Sequence, residues 1–95
     1  HPLVCRGQEE GAAVMGLGQS LFEAMCYDGT RLTNIAPIDY RVPLASDLPA
    51  DFQLVTQEQG HGAGPFGSKG MGEGAMLPVA SAIANAIEDA IVVRI

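Results

Sequence analysis

Seven of the 12 glycines in this 95-residue chain fall at positions 60, 62, 64, 67, 70, 72 and 74. Glycine at that density cannot hold a helix or a strand, so Gln59 to Gly74 is an irregular loop. Its last stretch, Gly64-Pro-Phe-Gly-Ser-Lys-Gly-Met-Gly-Glu73, carries one lysine and ends on one carboxylate. Packed glycines let backbone N–H groups approach an anion or a cofactor that side chains would otherwise block.

The rest of the chain is arranged around that loop. Downstream, Pro78 opens an apolar helix to Ile91, with Val79, Ile83, Ile87 and Ile91 at every fourth position and Ala82, Ala86 and Ala90 widening the same face. Upstream, Val14, Leu17, Leu21 and Met25 recur at spacings of three and four, predicting a second helix over about residues 9–25 despite Gly11, Gly16 and Gly18. Those glycines oppose a free helix, so close approach by another backbone or a ligand is the expected compensation. Tyr27-Asp28-Gly29-Thr30 predicts a tight hairpin between short strands near 25–27 and 31–33. Pro37, Pro43 and Pro49 make residues 34–49 an ordered connecting loop or partial edge strand, and Phe52 to Glu58 reads as a further strand. The expected class is α+β: two helices, about 9–25 and 78–91, packed as a single domain on a small, mostly antiparallel sheet, with a long proline-containing loop and the glycine-rich loop. Val14, Leu17, Leu21 and the isoleucine stripe are the expected core.

Composition narrows the function. Apolar residues reach 47% against 17% charged, which suggests that apolar surface is covered by something beyond these residues. The net charge is −6 and the five bases are scattered, which argues against nucleic acid as a partner. No apolar run reaches membrane-spanning length and the first residues carry no signal-peptide pattern, so a soluble, cytoplasmic setting is expected. Cys5 and Cys26 have no metal-ligand spacing, so no metal ligands are assigned.

Several letter-level motifs fail. Gly62-Ala-Gly-Pro-Phe-Gly67 spells a dinucleotide fingerprint but contains Pro65 where a helix would have to open. Ser68-Lys69-Gly70 lacks the order of a phosphate loop, and no serine sits in a nucleophile elbow. Glu73 alone reads as either a carboxylate at a helix start or a base.

Three separated segments resemble one family in order. Gly7-Gln8-Glu9-Glu10-Gly11-Ala12-Ala13-Val14-Met15-Gly16-Leu17-Gly18, then Asp39-Tyr40-Arg41-Val42-Pro43, then Ser68-Lys69-Gly70-Met71-Gly72-Glu73 with the helix Ala82-Ile83-Ala84-Asn85-Ala86-Ile87-Glu88-Asp89-Ala90-Ile91 are similar to the C-terminal part of the molybdopterin-binding large subunit of the xanthine dehydrogenase, aldehyde oxidase and carbon monoxide dehydrogenase family. Met15 departs from the pattern, since the family commonly has glutamine before Gly-Leu-Gly.

The resemblance implies hydroxylation of a carbon with oxygen from water at a molybdenum centre. It makes Glu73 the general base and Gln8 a cofactor contact, with Ser68, Lys69, Gly70, Met71 and Gly72 as further cofactor-binding residues. Molybdopterin would belong to the parent protein, with iron–sulfur clusters and FAD on other domains or subunits. The implied partners are the remainder of the molybdopterin-binding subunit and those iron–sulfur and flavin partners. The isolated 95 residues, read as a fragment, are expected to hold no cofactor and to be inactive. Two other readings stay open: a non-catalytic module that associates with itself as a homo-oligomer, and a small anion- or nucleotide-binding domain using the glycine loop.

Overall fold

The computed structural model describes all 95 residues, His1–Ile95. Helix α1 spans Pro2–Leu21, and helix α2 spans Val79–Ile91. Between them lie one antiparallel hairpin, β1 (Tyr27–Asp28) and β2 (Arg31–Leu32), and three single 3-10 turns, Ala45–Asp47, Pro65–Gly67 and Gly74–Met76. The class is α+β.

Helix α1 starts seven residues earlier than the periodicity predicts and ends four earlier. Its start is fixed by polar chemistry that apolar spacing does not register. The His1 side chain accepts from the Val4 N–H through Nδ1 at 3.4 Å, and Pro2, which has no N–H to satisfy, occupies the first turn. Arg6 and Glu10 then pair at 2.8 Å across one turn. At the other end Phe22 leaves the helix while its N–H still bonds the Gly18 carbonyl.

That end is clamped by the segment Asp39 to Asp47. The Tyr40 hydroxyl donates to Glu23 at 2.7 Å, and the Arg41 guanidinium lies 4.6 Å over the Phe22 ring. Arg41 also reaches both oxygens of Asp47, at 3.0 and 3.1 Å, while Asp47 accepts from the Leu44 N–H at 2.9 Å. The conspicuous Asp-Tyr-Arg-x-Pro segment is therefore a strap over the helix terminus.

The hairpin turns on Gly29-Thr30, one residue later than Asp28-Gly29, with Asp28 opposite Arg31. Gly29 takes the positive φ of 59° that the first loop position of such a turn requires. The Asn34 side chain ties its base, accepting from Cys26 and donating to Ala24. No helix makes close contact with it; the helices pack on each other and on the turn Gly74–Met76. The expected packing of helices on a sheet is thereby replaced by helix on helix. The predicted strand Phe52 to Glu58 does not form, because no neighbouring strand is offered and none of its backbone groups makes a backbone hydrogen bond.

The helix pair meets at glycine. A Cβ on Gly16 would fall 2.7 Å from Val79 Cβ and 3.1 Å from the Met76 carbonyl, so only glycine lets α2 and its preceding turn lie this close. Ala12, Gly16 and Gly18 are the three buried residues of the chain. Val14, Leu17, Val79, Ile83 and Ile87 are only half-buried, and Leu21 and Ile91 are exposed. The expected core is thus a seam. Two helices with no sheet beneath them have nothing to cover their outer flanks, which is why Ala82, Ala86 and Ala90 also face outward.

The chain is correspondingly open. Its accessible surface is 7537 Å², against about 5,200 Å² for a folded monomer of its mass. Its radius of gyration is 16.8 Å, against about 12 Å for a compact domain of this length. At the far end of α2, Glu88 is held by Arg94, which also donates to Asn85 at 2.9 Å, so one of the two acids of the last turn is paired locally. Val92 closes the helix with φ 58°, a left-handed conformation unfavourable for a β-branched residue.

Two predictions follow from these contacts. Gly16→Ala should destabilise the chain by roughly 1–3 kcal/mol through forced separation of the helices, while Val92→Gly should stabilise it by about 1 kcal/mol; urea-unfolding midpoints of the two variants report both. Second, the Leu44 N–H, helped against opposing desolvation by the Arg41 guanidinium, holds the Asp47 carboxyl below its ordinary 3.8. A depressed carboxyl contributes stability above its unfolded pKa that is lost as pH falls through its folded one. Asp47→Asn should therefore flatten the melting-temperature curve below about pH 4 and change its slope little near neutrality.

Candidate functional site

The return of the chain from the glycine loop into α2 lays residues 72–76 along α1. There Gly72 and Glu73 meet Gln8, Gly11, Ala12 and Met15 across a cleft of about 220 Å³. Gln8, Gly11, Ala12 and Met15 share one face of α1 because they recur at helical spacing. Residues 65 positions apart in sequence, Gln8 and Glu73, thereby line one cavity.

Glu73 sits just before the turn Gly74–Met76, with φ −94° and ψ 7°, the sparsely populated bridge region where many active-site residues are found. Its carbonyl accepts from Met76 at 3.0 Å, but its carboxylate caps nothing and makes no ion pair or hydrogen bond within the chain. Helix capping, the plainer role for an acid here, is not what this side chain does. The Gln8 amide is equally uncommitted, and both side chains are exposed to solvent.

The backbone adds donors. The N–H groups of Lys69, Gly70, Met71, Gly72 and Glu73 donate no hydrogen bond within the chain, which leaves five consecutive free donors, the last two of them on residues that line the cleft. Gly11 and Gly72 contribute room, since a Cβ at either would meet no atom within 4 Å. Amide, carboxylate, free N–H groups and open space together suit an organic ligand rich in oxygen and nitrogen. The chain has no group of three or more His, Cys, Asp or Glu able to hold a metal ion.

Not every predicted site residue shares this cleft. Gly72 lines it with Glu73 and Gln8, whereas Ser68 and Lys69 line a neighbouring cleft of about 290 Å³ with Cys5, Glu58 and Phe66. Gly70 and Met71 lie between, lining neither. Met15, the departure from the family pattern, proves to be a wall of the Gln8–Glu73 cleft and makes that wall a thioether.

Two residues that sequence reasoning passes over hold the arrangement. Thr56 Oγ1 donates to Glu9 Oε2 at 2.6 Å, joining the stretch before the glycine loop to the helix residue beside Gln8. The loop then closes on itself: Gly62 N–H donates to Gly67 at 2.7 Å and Gly64 N–H to Ser68 at 3.1 Å. A Cβ at Gly62 would lie 2.0 Å from the Ser68 carbonyl oxygen, so the closure requires glycine. The glycine spacing announces this loop; nothing in the sequence announces the Thr56–Glu9 contact.

No helix is long and apolar enough to cross a membrane. Residues 1–49 match the family model described as the molybdopterin cofactor-binding domain. The chain is 42% identical over 93 residues to the 6-hydroxypseudooxynicotine dehydrogenase complex subunit gamma of Paenarthrobacter nicotinovorans, covering 96% of this chain and 12% of that protein. It is 36% identical over 90 residues to the xanthine dehydrogenase molybdenum-binding subunit of Escherichia coli O157:H7, covering 93% of this chain and 12% of that protein. It is 31% identical over 97 residues to the aldehyde oxidoreductase molybdenum-binding subunit of Escherichia coli K12, covering 100% and 13%. The chain thus spans about an eighth of the length of these relatives. No solved structure matches it.

Thr56→Val should release the glycine loop from α1. Proteolysis within residues 57–64 should then accelerate roughly 3- to 10-fold, the worth of one hydrogen bond, with cleavage inside α2 unchanged.

Proposed function

This chain belongs to the molybdopterin cofactor-binding domain family, and on that premise we propose that it forms one wall of a molybdenum hydroxylase site with Glu73 as the general base. The observation that carries this reading is the carboxylate of Glu73, uncommitted within the chain and facing Gln8 across the cleft. When bound, the cofactor supplies the oxidising centre at which a carbon is hydroxylated with oxygen from water. Glu73 takes the proton released in that step on a carboxylate oxygen, a transfer that positioned bases typically accelerate about 10²- to 10⁴-fold.

Gln8 offers an amide donor and a carbonyl acceptor and orients the cofactor's heteroatoms. The N–H groups of Gly70, Met71 and Gly72, unbonded within the chain, are donors available to its oxygens. Ser68 and Lys69, one cleft away, act on its more distant polar groups. The chain brings no metal-binding cluster of its own, so its task is to position and to move a proton.

The cleft is open, and 19 large apolar side chains are exposed. The remainder of the molybdopterin-binding subunit closes the site over this surface, and iron–sulfur and flavin partners carry the electrons away. The relatives' printed names, which speak of subunits, support such an assembly.

In the assembled enzyme, Glu73→Gln should leave molybdenum and pterin content unchanged while turnover falls by about 10²-fold or more. Turnover retained at the parent's level would remove the base assignment. The 95-residue chain alone should carry no molybdenum by elemental analysis and show no hydroxylase activity.

A further inference from the structure

The segment Phe52 to Glu58 has the sequence of a strand without the surroundings of one. It contains no glycine or proline, and Phe52, Val55 and Thr56 are residue types that favour extended backbone. It runs without a turn or bend. From Pro49 to His61 no backbone group bonds another, so a row of N–H and C=O groups lies open along both edges.

Its side chains already distinguish two faces. Leu54 is half-buried, Phe52 is 38% exposed and Thr56 is bonded to Glu9 of α1, whereas Val55, on the alternate face, is 87% exposed between Gln53 and Gln57. One face thus rests on this chain and the other is mostly polar, the pattern of a strand in an antiparallel sheet covered on one side. No strand within the chain can pair along it, since β1 and β2 have two residues each.

We propose that residues 52–58 are an interaction strand, completed by backbone pairing with one extended strand in the remainder of the molybdopterin-binding subunit. Resting on the reading that such a remainder covers the chain, the pairing names the segment by which the two are joined. The chain spans only about an eighth of its relatives' length, and a partner strand in the same polypeptide has an effective concentration that a separate molecule lacks. A second copy is the poorer occupant, because each copy carries a net charge of −6 and Asp51 and Glu58 bracket the segment. Since Thr56 is bonded to the helix residue beside Gln8, the same pairing sets where α1 lies against the remainder.

Hydrogen exchange over residues 52–58, compared between the intact subunit and the 95-residue chain, tests this. Exchange should be at least about 100-fold slower in the intact subunit, as for a strand inside a cooperative unit. Neighbouring N–H groups of a strand point to opposite edges, so at least one of Leu54→Pro and Val55→Pro should restore fast exchange there, while Val55→Thr keeps it slow. Fast exchange over 52–58 in the intact subunit overturns the proposal: confined to that segment it leaves the covering remainder standing, and throughout the chain it removes both. Slow exchange that neither proline substitution relieves also overturns it. Slow exchange that grows with the concentration of the 95-residue chain alone assigns the strand to a second copy and overturns the stated partner. Exchange is read without turnover, so the result is separate from that of Glu73→Gln.

Discussion

The contact on which the site depends is the crossing of α1 and α2 at Gly16. Because Val79 and the Met76 carbonyl press against the helix where a side chain would be, the segment leading into α2 is brought down along the same face that carries Gln8. Glu73 lies three residues before Met76, so its distance from Gln8 is set by this seam. A helix glycine that costs local propensity thus fixes a tertiary distance. The Asp39–Asp47 strap and the Thr56–Glu9 bond are secondary to it: the first holds the end of α1, and the second limits how far the glycine loop can swing.

What was legible in the sequence was whatever rests on local chemistry. The α2 stripe with Pro78 before it, the hairpin around Gly29 and the irregularity of the glycine loop all follow from rules acting within a few residues. The start of α1 was also local, but its signal is a histidine and a proline outside the apolar period. The strand expected over residues 52–58 failed for the opposite reason. Its alternation is real, yet a strand needs a neighbour, and none is available here. The juxtaposition of Gln8 with Glu73 is a tertiary fact that periodicity cannot reach; only the ordered family motifs pointed to both residues. Met15 was visible as a departure in the sequence, but its position on the cleft wall was not.

The surface has the same origin. Nearly half of the residues are apolar, and three are buried. A pair of helices meeting along a glycine seam brings their backbones close, but it buries little side-chain area, because the residues at the seam have almost none. Good positioning of the cleft and a thin core are therefore two results of one choice of residue at the crossing.

That thinness joins site occupancy to folding. The cleft lies between α1 and the loop leading into α2, so anything bound across it reinforces the contact that the Gly16 seam and the Thr56–Glu9 bond make. A ligand or a neighbouring polypeptide bound to the folded form alone adds stability by mass action, about 2.7 kcal/mol at a hundredfold excess over its dissociation constant. For a chain with so small an interior, an increment of that size is comparable with much of the margin that folding leaves. Filling the cleft is then also a step in folding, and a variant that weakens binding there will present first as an unstable protein.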